Sequence, residues 1–185
     1  MSAGQARLFV ALELPGEVRG ALSRWAGEHI GDMAGVRVVP PDALHVTLCF
    51  LGARPIGEID AIAAACGAVS SLAPAALTLG AARWLPPRRP RVLTVTLDDA
   101  QERLAAVQAT LADALQDGDF YEPETRPFLA HVTVARVARE GGARRPDLPA
   151  PEAVHFTGDT VTLYRSRLGS GPARYQPLSC VTLSA

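Results

Sequence analysis

Residues 44–51 read LHVTLCFL, and this stretch decides the fold. Its β-branched and aromatic residues, bounded by Pro40-Pro41 and Gly52, predict a strand over Leu44 to Leu51. Side chains alternate between faces along a strand. His45 and Thr47 therefore share one face, while Val46 and Leu48 point to the other. The pattern recurs at His131-Val132-Thr133-Val134, inside a second predicted strand over Leu129 to Val137. Given this composition, one such tetrapeptide arises by chance about 0.05 times, so two in one chain are a signal. His155-Phe156-Thr157 looks similar, but Gly158 breaks its alternation. It reads as an ordinary polar strand segment.

Outward from these strands the chain is mixed. Arg7 to Leu14 predicts a buried strand that Pro15 stops, and Pro15 can open a helix at its first turn. Glu17 to Ile30 carries Val18, Leu22, Trp25 and Ala26 at helical spacing. Glu58 to Leu72 and Asp99 to Leu115 predict two more helices. Further strands are predicted at Val36 to Val39, Ala76 to Leu85, Val92 to Leu97, Val154 to Arg165 and Tyr175 to Leu183. Strand segments often follow one another directly, so antiparallel pairing and an α+β fold are expected. No linker divides the chain, and residues 1–185 are expected to form one domain.

Two histidines, each beside a threonine on one strand face, suit a particular chemistry. A lone strand histidine is ordinarily a hydrogen-bonded, partly buried side chain. Two matching outlets from the two halves of the chain can instead face one groove. Histidine titrates near neutrality, so one imidazole can accept a proton while the other donates. Threonine hydroxyls can donate to an anion. A phosphodiester is such a centre: attacked on one side, it expels a group on the other. Zinc needs three or four protein ligands, and no carboxylate or cysteine stands at a matching spacing. No metal and no cofactor are expected. No nucleophile-elbow motif marks a serine triad.

Composition narrows the rest. All 18 basic residues are arginine. Without lysine, a Walker-type phosphate loop, a Schiff base and a lysyl-AMP intermediate are all excluded. The formal net charge of −1 gives no overall basic excess, so nucleic-acid contact would be local. Arg88, Arg89 and Arg91 in the proline-stiffened loop after Leu85 are candidates for it. Three cysteines without metal spacing suggest neither disulfides nor zinc, and Cys49 and Cys180 lie in apolar runs that predict burial. No apolar run reaches membrane-spanning length and no signal peptide is evident, so a cytoplasmic protein without membrane contact is expected.

At these residues the sequence resembles the two-histidine (2H) phosphoesterase superfamily. More narrowly, it is similar to the bacterial RNA 2',3'-cyclic phosphodiesterases, also called 2'-5' RNA ligases. The resemblance covers Arg7 to Ala11 with Leu14-Pro15, Leu44 to Gly52, Pro90 to Leu93, Arg126 to Phe128 with His131 to Arg136, and Tyr164 to Ser166 with Ala173 to Tyr175. It implies two similar antiparallel sheet-and-helix lobes about a pseudo-twofold axis, with both motifs in the central groove. It implies metal-independent hydrolysis of a terminal 2',3'-cyclic phosphate to a 2'-phosphate by a monomer acting on RNA ends or nucleotides. His45 would protonate the departing 3' oxygen and His131 would activate water. Thr47 and Thr133 would hold the non-bridging oxygens, Arg136 would stabilise the pentavalent charge, and Phe9 would line the groove near the base.

Strict alternation sends Arg136 to the face opposite His131. It reaches the groove only where the strand ends, twists or bulges. A Gly169-Ser170-Gly171-Pro172 turn stands where the family commonly has Gly-Pro-Gly. Two other readings stay open: a nucleotide- or RNA-binding module without catalysis, and a phosphodiesterase for another substrate such as a 2'-5' oligonucleotide. Any ligation would be ATP-independent, the hydrolytic reaction run backwards.

Overall fold

Two residues of one continuous segment, Gly158 and Thr160, pair with opposite halves of a single sheet, and this forces the sheet to curl. The computed structural model describes residues 4–138, 145–167 and 174–184. In chain order the elements are β1 (Gln5–Leu12), α1 (Gly16–Ile30), β2 (Val36–Val38), β3 (Val46–Pro55), α2 (Ile59–Cys66), β4 (Ala75–Leu85), β5 (Val92–Asp98), α3 (Arg103–Asp117), β6 (His131–Val137), β7 (His155–Gly158), β8 (Thr160–Arg167) and β9 (Arg174–Thr182). The strands run β7-β4-β5-β6-β3-β1-β8-β9, with β2 added beside β6. Every pairing is antiparallel. The fold is α+β, as the strand succession predicts.

Sequence and structure part at several element boundaries: β3 begins at Val46, which leaves His45 just ahead of it, and four other differences have a local reason. The segment Val154 to Arg165 is two strands, β7 and β8, because the chain changes sheet partner after Gly158. A Cβ at Gly158 would stand 2.5 Å from Leu12 Cδ2, so any larger residue there would have to displace the buried Leu12 side chain. Helix α2 is shorter than the predicted Glu58 to Leu72. It is flanked by 3₁₀ turns at Ile56–Glu58 and Gly67–Val69. The Gly67 amide, which donates to the Ala64 and Ala65 carbonyls, marks the tightening. Helix α3 starts at Arg103 and not at Asp99. Asp99 stays outside, and its carboxylate accepts the Arg103 and Ala105 amides at 3.0 Å each. That satisfies two of the amides a helix start leaves without partners. Pro15 stands just before α1, at the N-cap, with its carbonyl accepting the Arg19 amide.

The helices cover one face of the sheet. Val18, Leu22, Trp25, Ala26 and Ile30 of α1 and Leu104, Val107, Leu111 and Leu115 of α3 join the buried strand residues in one cluster. Cys49 and Cys66 are buried, but Cys180 is exposed, against expectation. It lies on β9, a sheet-edge strand whose residues are largely open to solvent. Among the described residues, no helix is long and apolar enough to cross a membrane.

Candidate active site

The sheet's two halves meet at one register pair, Val46 of β3 opposite Val132 of β6. These are the central residues of the two repeated motifs. An antiparallel pair has a local twofold axis normal to the sheet. The register therefore sets His45 across from Thr133, and Thr47 across from His131. Val46 and Val132 are buried on the helix side. The two histidines and two threonines are half-buried on the other face. The fold thus brings together the four residues that the motifs single out.

Each imidazole is held by the same device. The ring Nδ1–H of His45 donates to the Ala43 carbonyl at 2.8 Å, and that of His131 donates to the Leu129 carbonyl at 2.7 Å. A carbonyl can only accept, so Nδ1 carries the proton and Nε2 is left for the groove. Nε2 of His45 accepts from the Thr47 hydroxyl at 3.1 Å.

The surroundings of the two rings differ. Phe9, buried in β1, lies 4.9 Å from His45 between ring centroids, and Tyr175 meets His45 edge-on at 5.2 Å. Tyr164 stacks on Phe9 at 5.3 Å. This wall takes water from His45, and burial pulls its pKa down to about 4. The Ala43 carbonyl opposes the shift, while the charges of Arg136 and His131 add to it. His131 instead borders a cavity of about 750 Å³, lined also by Thr47, Phe50, Gln108, Tyr121 and Phe128.

Arg136 reaches the histidine face through a bulge. Ala135 of β6 pairs with Leu93, but the next partner of β5, Thr94, faces Thr133, so Val134 is the extra residue. Val134 and Ala135 are consecutively buried, and Arg136 is then exposed. The bulge reverses the parity that strict alternation assigns. β3 does the same. Val10 pairs with Cys49 and Ala11 with Thr47, so Leu48 is extra and Phe50 emerges on the histidine face. Phe50 therefore occupies in the first motif the position that Arg136 occupies in the second.

A model of the 2'-5' RNA ligase superfamily matches residues 15–169. The chain belongs to the 2'-5' RNA ligase superfamily. Its relatives include the RNA 2',3'-cyclic phosphodiesterase of Escherichia coli K12, 31% identical over 174 residues and 93% of each chain. That of Thermus thermophilus is 35% identical over 135 residues, 70% of this chain and 68% of the relative. In structure, this superfamily member is similar to E. coli LigT complexed with 3'-AMP. The TM-score is 0.81 at 29% identity, covering 98% of this chain and 100% of the other. The mouse-hepatitis-virus ns2 phosphodiesterase domain shares the fold alone, at 12% identity and a TM-score of 0.59.

In this superfamily member several site residues escape a reading of the motifs. Glu13 accepts the Thr162 hydroxyl at 2.7 Å and the Tyr164 hydroxyl at 3.0 Å. Burial and the Glu13 carboxylate push the Tyr164 phenol up to about 12, so it stays protonated as a donor. The signal was a carboxylate in the otherwise apolar run Leu8 to Leu14, because an acid drawn partly into the core needs partners. His155 lies on β7 away from the seam, exposed, and hydrogen-bonded to Thr78 at 2.8 Å. Arg88, Arg89 and Arg91 are exposed at the β4–β5 hairpin, whose Arg91 carbonyl accepts the Val137 amide. Residues 169–172 lie outside the described residues. Among those described, no three His, Cys, Asp or Glu side chains are grouped to hold a metal ion.

Proposed function

We propose that this chain opens a 2',3'-cyclic phosphate at an RNA end to a 2'-phosphate, without a metal. One observation carries the reading. Two His-x-Thr motifs join at Val46–Val132, which turns two imidazole Nε2 atoms to one face with a hydroxyl beside each. Relatives named RNA 2',3'-cyclic phosphodiesterase and a LigT complex with 3'-AMP support the substrate class.

In this reading His45 is the base. Its desolvated ring is neutral at pH 7, and its Nε2 can take a proton from water as the water oxygen attacks phosphorus. His131 enters the step as the imidazolium, with a second proton on Nε2, and gives that proton to the departing 3' oxygen as the P–O3' bond breaks. This reverses the division that the resemblance implies, and the support is the burial of His45. Thr47 and Thr133 donate to the non-bridging oxygens, with Thr47 turning from His45 Nε2 as substrate enters. Arg136 faces the growing charge, as a preorganised donor should. Phe9 backs His45 and holds it dry. With an RNA hydroxyl in place of water, the same groups would run the reaction backwards to a 2'-5' linkage without ATP. Residues 1–185 act as one monomeric unit, in the cytoplasm.

The test is turnover of a 2',3'-cyclic nucleotide in EDTA by the wild type, His45→Ala and His131→Ala. The expected result is 2'-phosphate product from the wild type and loss in both variants with folding retained. Full activity in both variants sinks the reading. Tight binding without wild-type turnover would instead favour a binding module, and turnover confined to 2'-5' oligonucleotides would favour that substrate.

A further inference from the structure

Arg136 has an immediate arginine neighbour. Arg37 of β2 is its register partner across an antiparallel pair, which sets the two side chains on the same face. The flanking Val36 and Val38 pack against the core, so Arg37 points away from it. Arg37 thus shares the face to which the β6 bulge returns Arg136, the face of His131 and Thr133. Both arginines are exposed. The ion pairs among the described residues are Arg54–Glu58 and Arg126–Glu124, and neither engages Arg37 or Arg136.

Like charges directly opposite one another destabilise a strand pair. Here the pair joins β6 to β2, a strand of only three residues. An anion between them turns that repulsion into attraction. The spacing says which anion. His45 lies across from Thr133, and Arg136 is three residues beyond Thr133 with one of them bulged, about 10 Å or less along the strand. An arginine side chain spans most of that distance, and His45 feels the Arg136 charge. Arg37 stands beside Arg136 on the β3 side of β6, about 5 Å away. A phosphate between the histidines is therefore within reach of Arg136, and the next anion along the ligand meets Arg37. A cyclic mononucleotide has no second phosphate. An RNA end has one: the phosphodiester that joins its terminal nucleoside to the chain.

We propose that Arg37 and Arg136 form a two-phosphate cradle, in which Arg136 holds the cyclic phosphate and Arg37 the adjoining phosphodiester, so that the site prefers RNA ends to cyclic mononucleotides. This rests on the phosphodiesterase reading and names the substrate of that same site. Arginine is suited to it because its planar fork donates two parallel hydrogen bonds to a phosphate.

The test measures binding and turnover side by side. The probes are a short labelled RNA ending in 2'-phosphate, the same RNA with a neutral methylphosphonate at its last linkage, and 2'-AMP. With wild-type protein the methylphosphonate should weaken binding about tenfold, as loss of a charge-assisted contact does. Arg37→Gln should weaken binding of the unmodified RNA by a similar factor relative to 2'-AMP. It should also flatten the salt dependence by about 0.7 in logarithmic slope. In Arg37→Gln the methylphosphonate should then cost nothing more, and Arg37→Lys should restore the salt slope. Equal losses on RNA and 2'-AMP, no loss on either, or a methylphosphonate penalty that persists in Arg37→Gln would each overturn the cradle. Absence of wild-type turnover on the 2',3'-cyclic forms would overturn the phosphodiesterase reading, and the affinities would still decide the cradle.

Discussion

The two His-x-Thr motifs share a backbone and differ in everything around it. Each pins Nδ1 to the carbonyl two residues back, and each is followed by a bulge that returns the residue five beyond the histidine to the same face. In the first motif that residue is Phe50, beneath the Arg7 guanidinium at 4.7 Å. In the second it is Arg136. His45 is walled by Phe9, Tyr164 and Tyr175, while His131 borders an open cavity. A near-symmetric backbone supplies two aligned imidazoles. The asymmetric side chains bury one ring, and that burial lowers the His45 pKa to about 4.

The sharpest way to break this comparison is to remove each histidine in turn. General acid–base groups contribute about 10²–10⁴ in rate, so His45→Ala and His131→Ala should each lose a factor in that range on a 2',3'-cyclic nucleotide. The two should separate on a p-nitrophenyl phosphodiester, whose leaving group needs no proton. His131→Ala should recover most of its rate there, and His45→Ala should not. Recovery in His45→Ala alone would exchange the roles.

The motif pair and its shared face were legible in the sequence because alternation and the His-x-Thr repeat are local. The α+β class followed from strand succession. The seam was not legible: nothing in Val46 or Val132 says that they pair. The bulges at Leu48 and Val134 were also hidden, since they arise from how β1 and β5 register against β3 and β6. That is why parity alone misplaces Arg136 and overlooks Phe50. Glu13 and Tyr164 lie 151 residues apart and meet only through the β1–β8 pairing.

Stability against pH should expose the His45 environment directly. Its folded pKa is about 4, below the ordinary value of 6.5 that the unfolded chain takes, so between those values the unfolded state binds more protons. The contribution is therefore fully present above pH 6.5 and is lost as pH falls toward 4. It amounts to about 3 kcal/mol at most. Denaturant melts of wild type and His45→Gln from pH 4 to 7 should show a flatter profile for the variant. An equal slope would mean that the aromatic wall does not hold His45 neutral.

The fifth positions come next. Arg136→Gln should lower kcat about 10²-fold, the scale of one preorganised donor. Phe50→Ala should cost about tenfold or less and act through KM, since an aromatic ring offers contact but no charge. A kcat loss in Phe50→Ala as large as that in Arg136→Gln would mean that the two positions do equivalent work.

The smallest effect concerns the hydroxyl behind the wall. Tyr164→Phe removes one of the two donors to Glu13 and leaves Thr162 in place, so a loss of about 1 kcal/mol of stability is expected. The ring still stacks on Phe9, and the His45 pKa read by NMR should stay near 4. Tyr164→Ala removes the ring as well, so water should reach Phe9 and His45 and the His45 pKa should rise toward its ordinary value. If the two variants shift His45 alike, the Glu13 hydrogen bond and not the aromatic wall sets its protonation. The contrast between the two motifs would then originate in a carboxylate on β1 and not in the packing around the ring.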